Sequence, residues 1–190
     1  MSFYRNAGGI AHPTTTNELV EEIDIRLKRG QTNLNDIDTS KITNMSFLFQ
    51  FFNRIQNIDI SKWDVSNVRD MSGMFYNCYY FNSDLSKWDV SNVYSMSNMF
   101  DGCESFNCDL SKWNIGGVKY MDYMFSNCKN FDSDLSRWDV GNVKDMNYMF
   151  YGCKNFYSDL SKWDVSNVRS MDCIFCGCNR LSANLSGWLL

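Results

Sequence analysis

The sequence predicts an α/β repeat protein, built as a solenoid of short strands and short helices with an N-terminal capping helix. Its tryptophans recur every 25 residues, at Trp63, Trp88, Trp113, Trp138, Trp163 and Trp188. Cysteines follow the same step, at Cys78, Cys103, Cys128, Cys153 and Cys178. A fixed period over this much chain is the signature of stacked units, each of which buries its apolar surface against its neighbours.

The segment before the repeats predicts a flexible tail over residues 1–14 and a capping helix over residues 15–30. Thr15 and Glu18 have the spacing of a capping box, and Gly30 follows a basic last turn. One face of the helix is apolar, with Leu19, Val20, Ile23 and Leu27. We expect this face to cover the end of the stack, and a membrane-surface or partner helix is the alternative.

Residues 31–190 predict a single solenoid of about six repeats of 25 residues. In one unit Met71, Met74, Phe75 and Cys78 have the i, i+3, i+4, i+7 spacing of a short helix. Residues 85–90 of the same unit predict a short extended segment. Neither piece is long enough to be stable alone, so stacking must supply the stability.

Stacking aligns equivalent side chains into columns. We expect one buried column of phenylalanines, at Phe75, Phe100, Phe125, Phe150 and Phe175, and a second column of tryptophans. The amides of Asn67, Asn92, Asn142 and Asn167 suit a hydrogen-bonded ladder, which Gly117 interrupts. Free exposure of these asparagines to solvent is the alternative.

The unit pattern F-x-x-D-L-S-x-W-D-V-S-N-V-x-x-M-x-x-M-F-x-x-C resembles the repeat of the BspA-like leucine-rich-repeat surface proteins. The string W-D-V-S-N-V stands intact at residues 63–68, 88–93 and 163–168, and the resemblance covers residues 34–190. That family occurs in bacterial surface proteins, mycoplasmal lipoproteins, phages and giant viruses. The resemblance implies a right-handed, leucine-rich-repeat-like solenoid with an adhesive or protein-binding role.

Composition excludes several classes of function. A net charge of −4 and a pI near 4.9 argue against nucleic-acid partners. No apolar run has the roughly 18 residues that a membrane span needs, so we expect no membrane insertion. The chain shows no signal peptide or lipidation motif, and its cysteines favour a cytoplasmic or intracellularly assembled protein, such as a virion component, over a secreted one.

Catalysis is not expected, and neither is a cofactor. The single histidine, His12, lies in the predicted tail, which leaves no Ser-His or Cys-His system. Aspartates form two columns, Asp84, Asp109, Asp134 and Asp159, and Asp64, Asp89, Asp139 and Asp164. We interpret them as surface stripes that alternate with lysines and arginines, with calcium or glycan binding as a remote alternative.

The cysteines lead to a prediction and an open question. We expect the five column thiols to be buried and unpaired, because buried cysteine behaves as a small apolar residue. Cys173, Cys176 and Cys178 form a C-x-x-C-x-C cluster that could hold zinc only with a further ligand, and no metal site is predicted there.

The resulting functional hypothesis is a non-enzymatic repeat scaffold that mediates protein–protein or cell-surface interaction, with a partner that the sequence does not name. Its contacts are predicted at Tyr76, Tyr79, Tyr80, Tyr94, Tyr120, Tyr123, Tyr148, Tyr151 and Tyr157. The alternative is a structural component of a larger assembly such as a virion. An open C-terminal edge at Trp188, Leu189 and Leu190 is a candidate contact for a homo-oligomer, with fraying of the last residues as the alternative.

Overall fold

The computed structural model describes residues 11–52 and 54–180, together with Leu185 and Trp188. Within them, the one helix is α1, Thr16–Lys28, and no strand forms. The other described residues run mostly in turn-rich coils that stack on one another. Neighbouring coils are joined by seven isolated parallel bridges, Ala11–Ile37, Asn33–Asp59, Asn44–Asp70, Asp70–Ser95, Ser95–Tyr120, Tyr120–Asp145 and Asp145–Ser170.

The predicted α/β solenoid of short strands and short helices is therefore wrong. In the segment expected to be a short helix, the N–H of Met74 donates to the carbonyl of Met71 at 3.1 Å, which is a turn of the i, i+3 kind. The next residue, Phe75, instead donates to Met99 of the following coil at 2.9 Å. This alternation repeats in the later coils, so the apolar spacing of a helix comes from successive tight turns.

Left-handed residues prevent those turns from joining into a helix. Gly73 and Asn77 have φ of 60° and 58°, and an α-helix needs negative φ at every position. The predicted extended segment over residues 85–90 is bent as well, since the N–H of Trp88 donates to Leu85 at 3.1 Å. Strand-like pairing in the described residues is thus limited to isolated bridges, although N–H groups within the turns also donate to the next coil, as Phe75 does to Met99.

The phenylalanine column is confirmed. Phe100 stacks on Phe125 with ring centroids 5.7 Å apart and an angle of 5° between the planes, and Phe125 stacks on Phe150 at the same distance. A second column, Phe81, Phe106, Phe131 and Phe156, runs beside it with 5.9 Å between successive rings. The burial of one such side chain contributes about 1.5–3 kcal/mol, and the columns form the centre of the core.

The tryptophans and asparagines also connect the coils, each through a main-chain carbonyl. The indole Nε1–H of Trp113 donates to Leu85 at 3.0 Å, and the Trp column repeats this bond from Trp63 to Trp188. The predicted asparagine ladder exists, but in another form: the amide of Asn92 donates to the carbonyl of Ser66 at 2.8 Å. Asn67, Asn142 and Asn167 make the equivalent bond.

Helix α1 begins and ends as the sequence indicates. The hydroxyl of Thr15 accepts the N–H of Glu18, and the Glu18 carboxylate accepts the N–H of Thr15, each at 3.2 Å. Leu19 and Ile23 are fully buried, and the hydroxyl of Thr16 donates to the carbonyl of Asn44 in the first coil at 2.7 Å. The division of the chain into tail, helix and repeat array stays a prediction.

Candidate functional site: the turn face

One surface of the stack collects exposed aromatic side chains. It consists of the third and sixth residues of the six-residue segments that begin at Met45, Met71, Met96, Met121, Met146 and Met171, and we call it the turn face. The third positions are Phe47, Gly73, Asn98, Tyr123, Tyr148 and Cys173, and the sixth positions are Gln50, Tyr76, Asp101, Ser126, Tyr151 and Cys176.

Ring contacts show that these positions share a surface. The rings of Tyr123 and Tyr148 stack in successive coils, with centroids 4.8 Å apart and 7° between their planes. Tyr148 also contacts Tyr151 of its own coil, with centroids 5.8 Å apart. The stack therefore brings together three of the tyrosines that the sequence selected.

The backbone of the turn face is held in an unusual conformation. All six third positions have positive φ, and Tyr123 and Tyr148 have φ of 57° and 54°. Glycine and asparagine adopt this region readily, and Gly73 and Asn98 occupy the equivalent positions in other coils. A tyrosine there carries a local cost of about 1–2 kcal/mol, which the stacking of the two rings offsets in part.

A second aromatic group lies toward the N-terminal end of the turn face. The ring of Phe47 lies over Gly73, where a side chain would overlap it, and meets Tyr76 edge to face with centroids 6.4 Å apart. Tyr79 and Tyr80 follow, and they line an open cleft of about 460 Å³ together with Arg54 and Gln56. This group combines aromatic rings with a guanidinium, a composition enriched where proteins bind proteins.

Sequence reasoning missed Phe47 of the turn face and one exposed phenylalanine outside that face, Phe51. Phe47 is 41% exposed and Phe51 is 79% exposed. The signal was available, because the first unit carries phenylalanine at Phe47 and Phe51 where the second carries Gly73 and Asn77.

The other predicted contact residues lie elsewhere on the surface. Tyr94 and Tyr120 lie in the neighbouring part of the coil that carries the bridges, where the N–H of Tyr94 donates to the carbonyl of Arg69. Tyr157 is in a different column, with Asn82, Asn107 and Asp132, and its N–H donates to the side chain of Asp132 at 3.0 Å. These three tyrosines are exposed, but the structure does not gather them with the turn face.

The aspartate columns shape turns. Oδ1 of Asp84 accepts the N–H of Ser86 at 2.9 Å, and the other seven column aspartates accept from the residue two positions on in the same way. Asn114 takes an aspartate's place in one coil, and its Oδ1 accepts from Gly116 at 3.3 Å. Because a neutral amide performs the same task, the oxygen matters here more than the charge.

These hydrogen bonds also shift acidity. The hydroxyl and amide of the serine two residues on lower the pKa of Asp84, Asp89 and Asp109. Asp101, on the turn face, behaves in the opposite way. Burial raises its pKa, although Ser126 and Asn127 hydrogen-bond its carboxylate.

The cysteines are free thiols, and they divide into two environments. In the buried column, Sγ of Cys103 donates to the carbonyl of Phe75 at 3.0 Å, and Cys128 and Cys153 make the equivalent bond. Burial raises the pKa of Cys78 to about 12. Cys173 and Cys176 are exposed, whereas Cys178 donates to the carbonyl of Phe150 at 2.9 Å.

Metal binding and membrane insertion find no support in the described part of the chain. No three His, Cys, Asp or Glu side chains there lie close enough to hold a metal ion. None of its helices has the length and apolar character that crossing a bilayer requires.

The predicted oligomer edge is only partly within the described residues. Trp188 is buried, stacks on Trp163 with centroids 6.1 Å apart, and donates to the carbonyl of Leu160 at 3.2 Å. Leu189 and Leu190 lie outside the described residues. Contact between copies at this edge stays a prediction.

Comparison with known proteins places the chain in a family. The model of the family described as "Mycoplasma protein of unknown function, DUF285" matches residues 18–118 and again residues 82–188. No curated protein and no solved structure is significantly similar to the chain.

Proposed function

Since the chain belongs to the DUF285 family, the BspA-like repeat family, we propose that it is a non-enzymatic protein-binding module whose turn face holds the partner. We also assign its W-D-V-S-N-V unit to the repeat of that family. The coils form the scaffold, and the residues that vary on the turn face form the contact.

One observation carries the proposal, namely the stacked pair of half-buried tyrosines Tyr123 and Tyr148, which contacts the exposed ring of Tyr151. Both occupy left-handed positions where asparagine or glycine would be less strained. Strain that a fold retains at a surface position outside the buried core favours a role in recognition. The stacked rings also present their edges and hydroxyls in a fixed array, so little side-chain entropy remains to be lost on binding.

The N-terminal aromatic group supports the same surface. Phe47 and Tyr76 belong to the turn face, and the cleft lined by Tyr79 and Tyr80, three and four residues after Tyr76, also carries Arg54. Aromatic and arginine side chains dominate the energetics of protein interfaces, where one such contact is often worth 2 kcal/mol or more. A partner that spans both groups would lie along the length of the stack.

The test compares three baits in an extract of the native source. They are the wild-type chain, the double variant Tyr123→Asn with Tyr148→Asn, and the control Tyr157→Asn. Asparagine is the residue at the equivalent positions Asn98 and Asn82 of other coils, so the substitutions suit the local backbone. Thermal melting of all three baits verifies that each is folded.

We expect the wild-type and control baits to retain the same discrete protein, and the double variant to lose at least about tenfold in affinity, since a loss of 1.4 kcal/mol is tenfold. Equal retention by the folded double variant would refute the turn face as the binding surface. Recovery of several assembly subunits, unaffected by the double variant, would instead favour the structural alternative.

A further inference from the structure

Two of the eight thiols differ from the others in environment. Cys173 and Cys176 are exposed, whereas Cys78, Cys103, Cys108, Cys128 and Cys153 are buried and Cys178 is half-buried. An exposed thiol reaches solvent reagents, and a buried one does not. Any thiol chemistry of the folded chain is therefore concentrated at residues 173–176.

The backbone brings these two cysteines to one place. They are the first and last residues of a tight turn, in which the N–H of Cys176 donates to the carbonyl of Cys173 at 3.1 Å. The first and fourth Cα atoms of such a turn lie within about 7 Å, and a disulfide spans Cα atoms about 4.4–6.8 Å apart. The turn thus has the span that a disulfide between its ends requires.

The side chains of the two cysteines also lie near each other. At the same two positions one coil earlier, Tyr148 and Tyr151 are in ring contact, with centroids 5.8 Å apart. In the last coil the neighbouring thiol of Cys173 raises the pKa of Cys176. Cys178 is directed elsewhere, since its Sγ donates to the carbonyl of Phe150.

We propose that Cys173 and Cys176 form a redox-active dithiol, which a small-molecule disulfide oxidises to an intramolecular disulfide. One protein thiol loses its proton, and its sulfur attacks the small disulfide, forming a mixed disulfide and releasing one small thiol. The second protein thiol then loses its proton and attacks the mixed disulfide. The Cys173–Cys176 bond forms, the mixed disulfide breaks and the second small thiol leaves, so that two protein thiols are oxidised and one disulfide is reduced.

The test exposes the folded full-length chain to oxidised glutathione, quenches with acid, and alkylates the remaining thiols in denaturant. Trypsin cleaves after Arg169 and Arg180, and it thus releases all three neighbouring cysteines in the peptide of residues 170–180. We expect this peptide to lose two hydrogens and carry one alkyl group, on Cys178. The buried column cysteines Cys78, Cys103, Cys128 and Cys153 serve as internal controls, since they should stay reduced in the folded chain and each carry an alkyl group.

Two variants test the individual steps of the exchange, and each introduces the residue that stands at the equivalent position of another coil. Cys176→Ser, with serine as at Ser126, removes the second thiol and should stop the reaction at a glutathione mixed disulfide on Cys173. Cys173→Asn, with asparagine as at Asn98, suits the left-handed backbone and should form no intramolecular disulfide.

Three outcomes would overturn the proposal. They are a wild-type chain that remains fully reduced, one that stops at a mixed disulfide, and one in which Cys178 or a column cysteine takes part in the bond. Dithiothreitol should return the oxidised chain to three alkylatable thiols in this peptide, because disulfide exchange is reversible.

Discussion

The indole Nε1–H of Trp138 donates to the carbonyl of Leu110, 28 residues earlier, across a distance of 3.0 Å. The same carbonyl also accepts the N–H of Trp113 within its own coil. Two roles of the indole therefore explain the 25-residue tryptophan period. Each ring packs in the core, and each Nε1–H donates a hydrogen bond to a carbonyl of the preceding coil. A buried indole without a partner for its N–H would cost free energy.

Trp138→Phe removes this bond and part of the ring. We expect a loss of about 1–3 kcal/mol in the free energy of unfolding, from the hydrogen bond together with the volume removed. Urea titration followed by circular dichroism measures it. Tyr157→Asn is the surface control, and a Trp138→Phe loss no larger than that of the control would contradict the inter-coil bond.

The phenylalanine column predicts a gradient of stability along the stack. Phe125 is fully buried between Phe100 and Phe150, and Phe125→Ala should cost about 3–5 kcal/mol. Phe175 is only partly buried, so we expect Phe175→Ala to cost about half as much. Equal losses in urea titration would contradict the burial difference.

The left-handed backbone predicts that substitutions at two equivalent positions, Gly152 and Asn77, differ in their effect on stability. Gly152 has φ of 70°, and a Cβ there would lie 3.0 Å from Oδ1 of Asn127, so Gly152→Ala should cost about 1–2 kcal/mol. Asn77 is the equivalent residue before Cys78 and has φ of 58°. Glycine suits this conformation, so Asn77→Gly should change the free energy of unfolding by no more than about 0.5 kcal/mol. Thermal melting measures both, and a neutral Gly152→Ala would show that this conformation is not retained.

The aspartate turns predict a loss of stability in acid. The pKa values of Asp84, Asp89, Asp109, Asp134, Asp159 and Asp164 are lowered in the folded chain. A group with a lowered folded pKa stabilises fully above its unfolded pKa, about 3.9 for aspartate, and loses that stabilisation as pH falls toward the folded pKa. The melting temperature should therefore be level from pH 7 to about pH 5 and fall below that.

Asp89→Asn is the matched variant for this acid dependence. The substitution copies Asn114, the equivalent residue of the next coil, whose uncharged amide oxygen accepts the same hydrogen bond in the turn. The variant should melt close to wild type at pH 7 and lose less on acidification. An unchanged acid slope would show that the Asp89 turn does not contribute.

Sequence reasoning found the period, the buried phenylalanine column and the capping box of Thr15 and Glu18, because each is written in residue identity and spacing. It failed at the local conformation of Met71, Met74, Phe75 and Cys78. Apolar spacing indicates which side chains lie on the same face of the chain. A run of tight turns places these residues on one face just as a helix does, so the spacing does not distinguish the two. The decisive signal lies at the position before each column cysteine, where either asparagine or glycine stands, with positive φ, at residues 77, 102, 127, 152 and 177.

The candidate site was recovered in part for a similar reason. Tyrosine content selected Tyr123, Tyr148 and Tyr151, but it also selected Tyr157, which belongs to another column. Which positions lie on the turn face depends on the path of the backbone within each coil. The sequence predicted a short helix there, whereas the structure has successive tight turns. Phe47 and Phe51 were missed because phenylalanine in this repeat is otherwise a core residue.

The ring pair Tyr123 and Tyr148 tests the account most directly, since it depends on the 25-residue register, the left-handed backbone and the exposed turn face together. Nuclear Overhauser spectroscopy on chain labelled at tyrosine measures contact between the two rings. The account predicts strong cross-peaks between their ring protons, in keeping with centroids 4.8 Å apart, and loss of those cross-peaks in Tyr148→Asn. A folded chain in which the rings of Tyr123 and Tyr148 give no mutual cross-peaks would contradict the account.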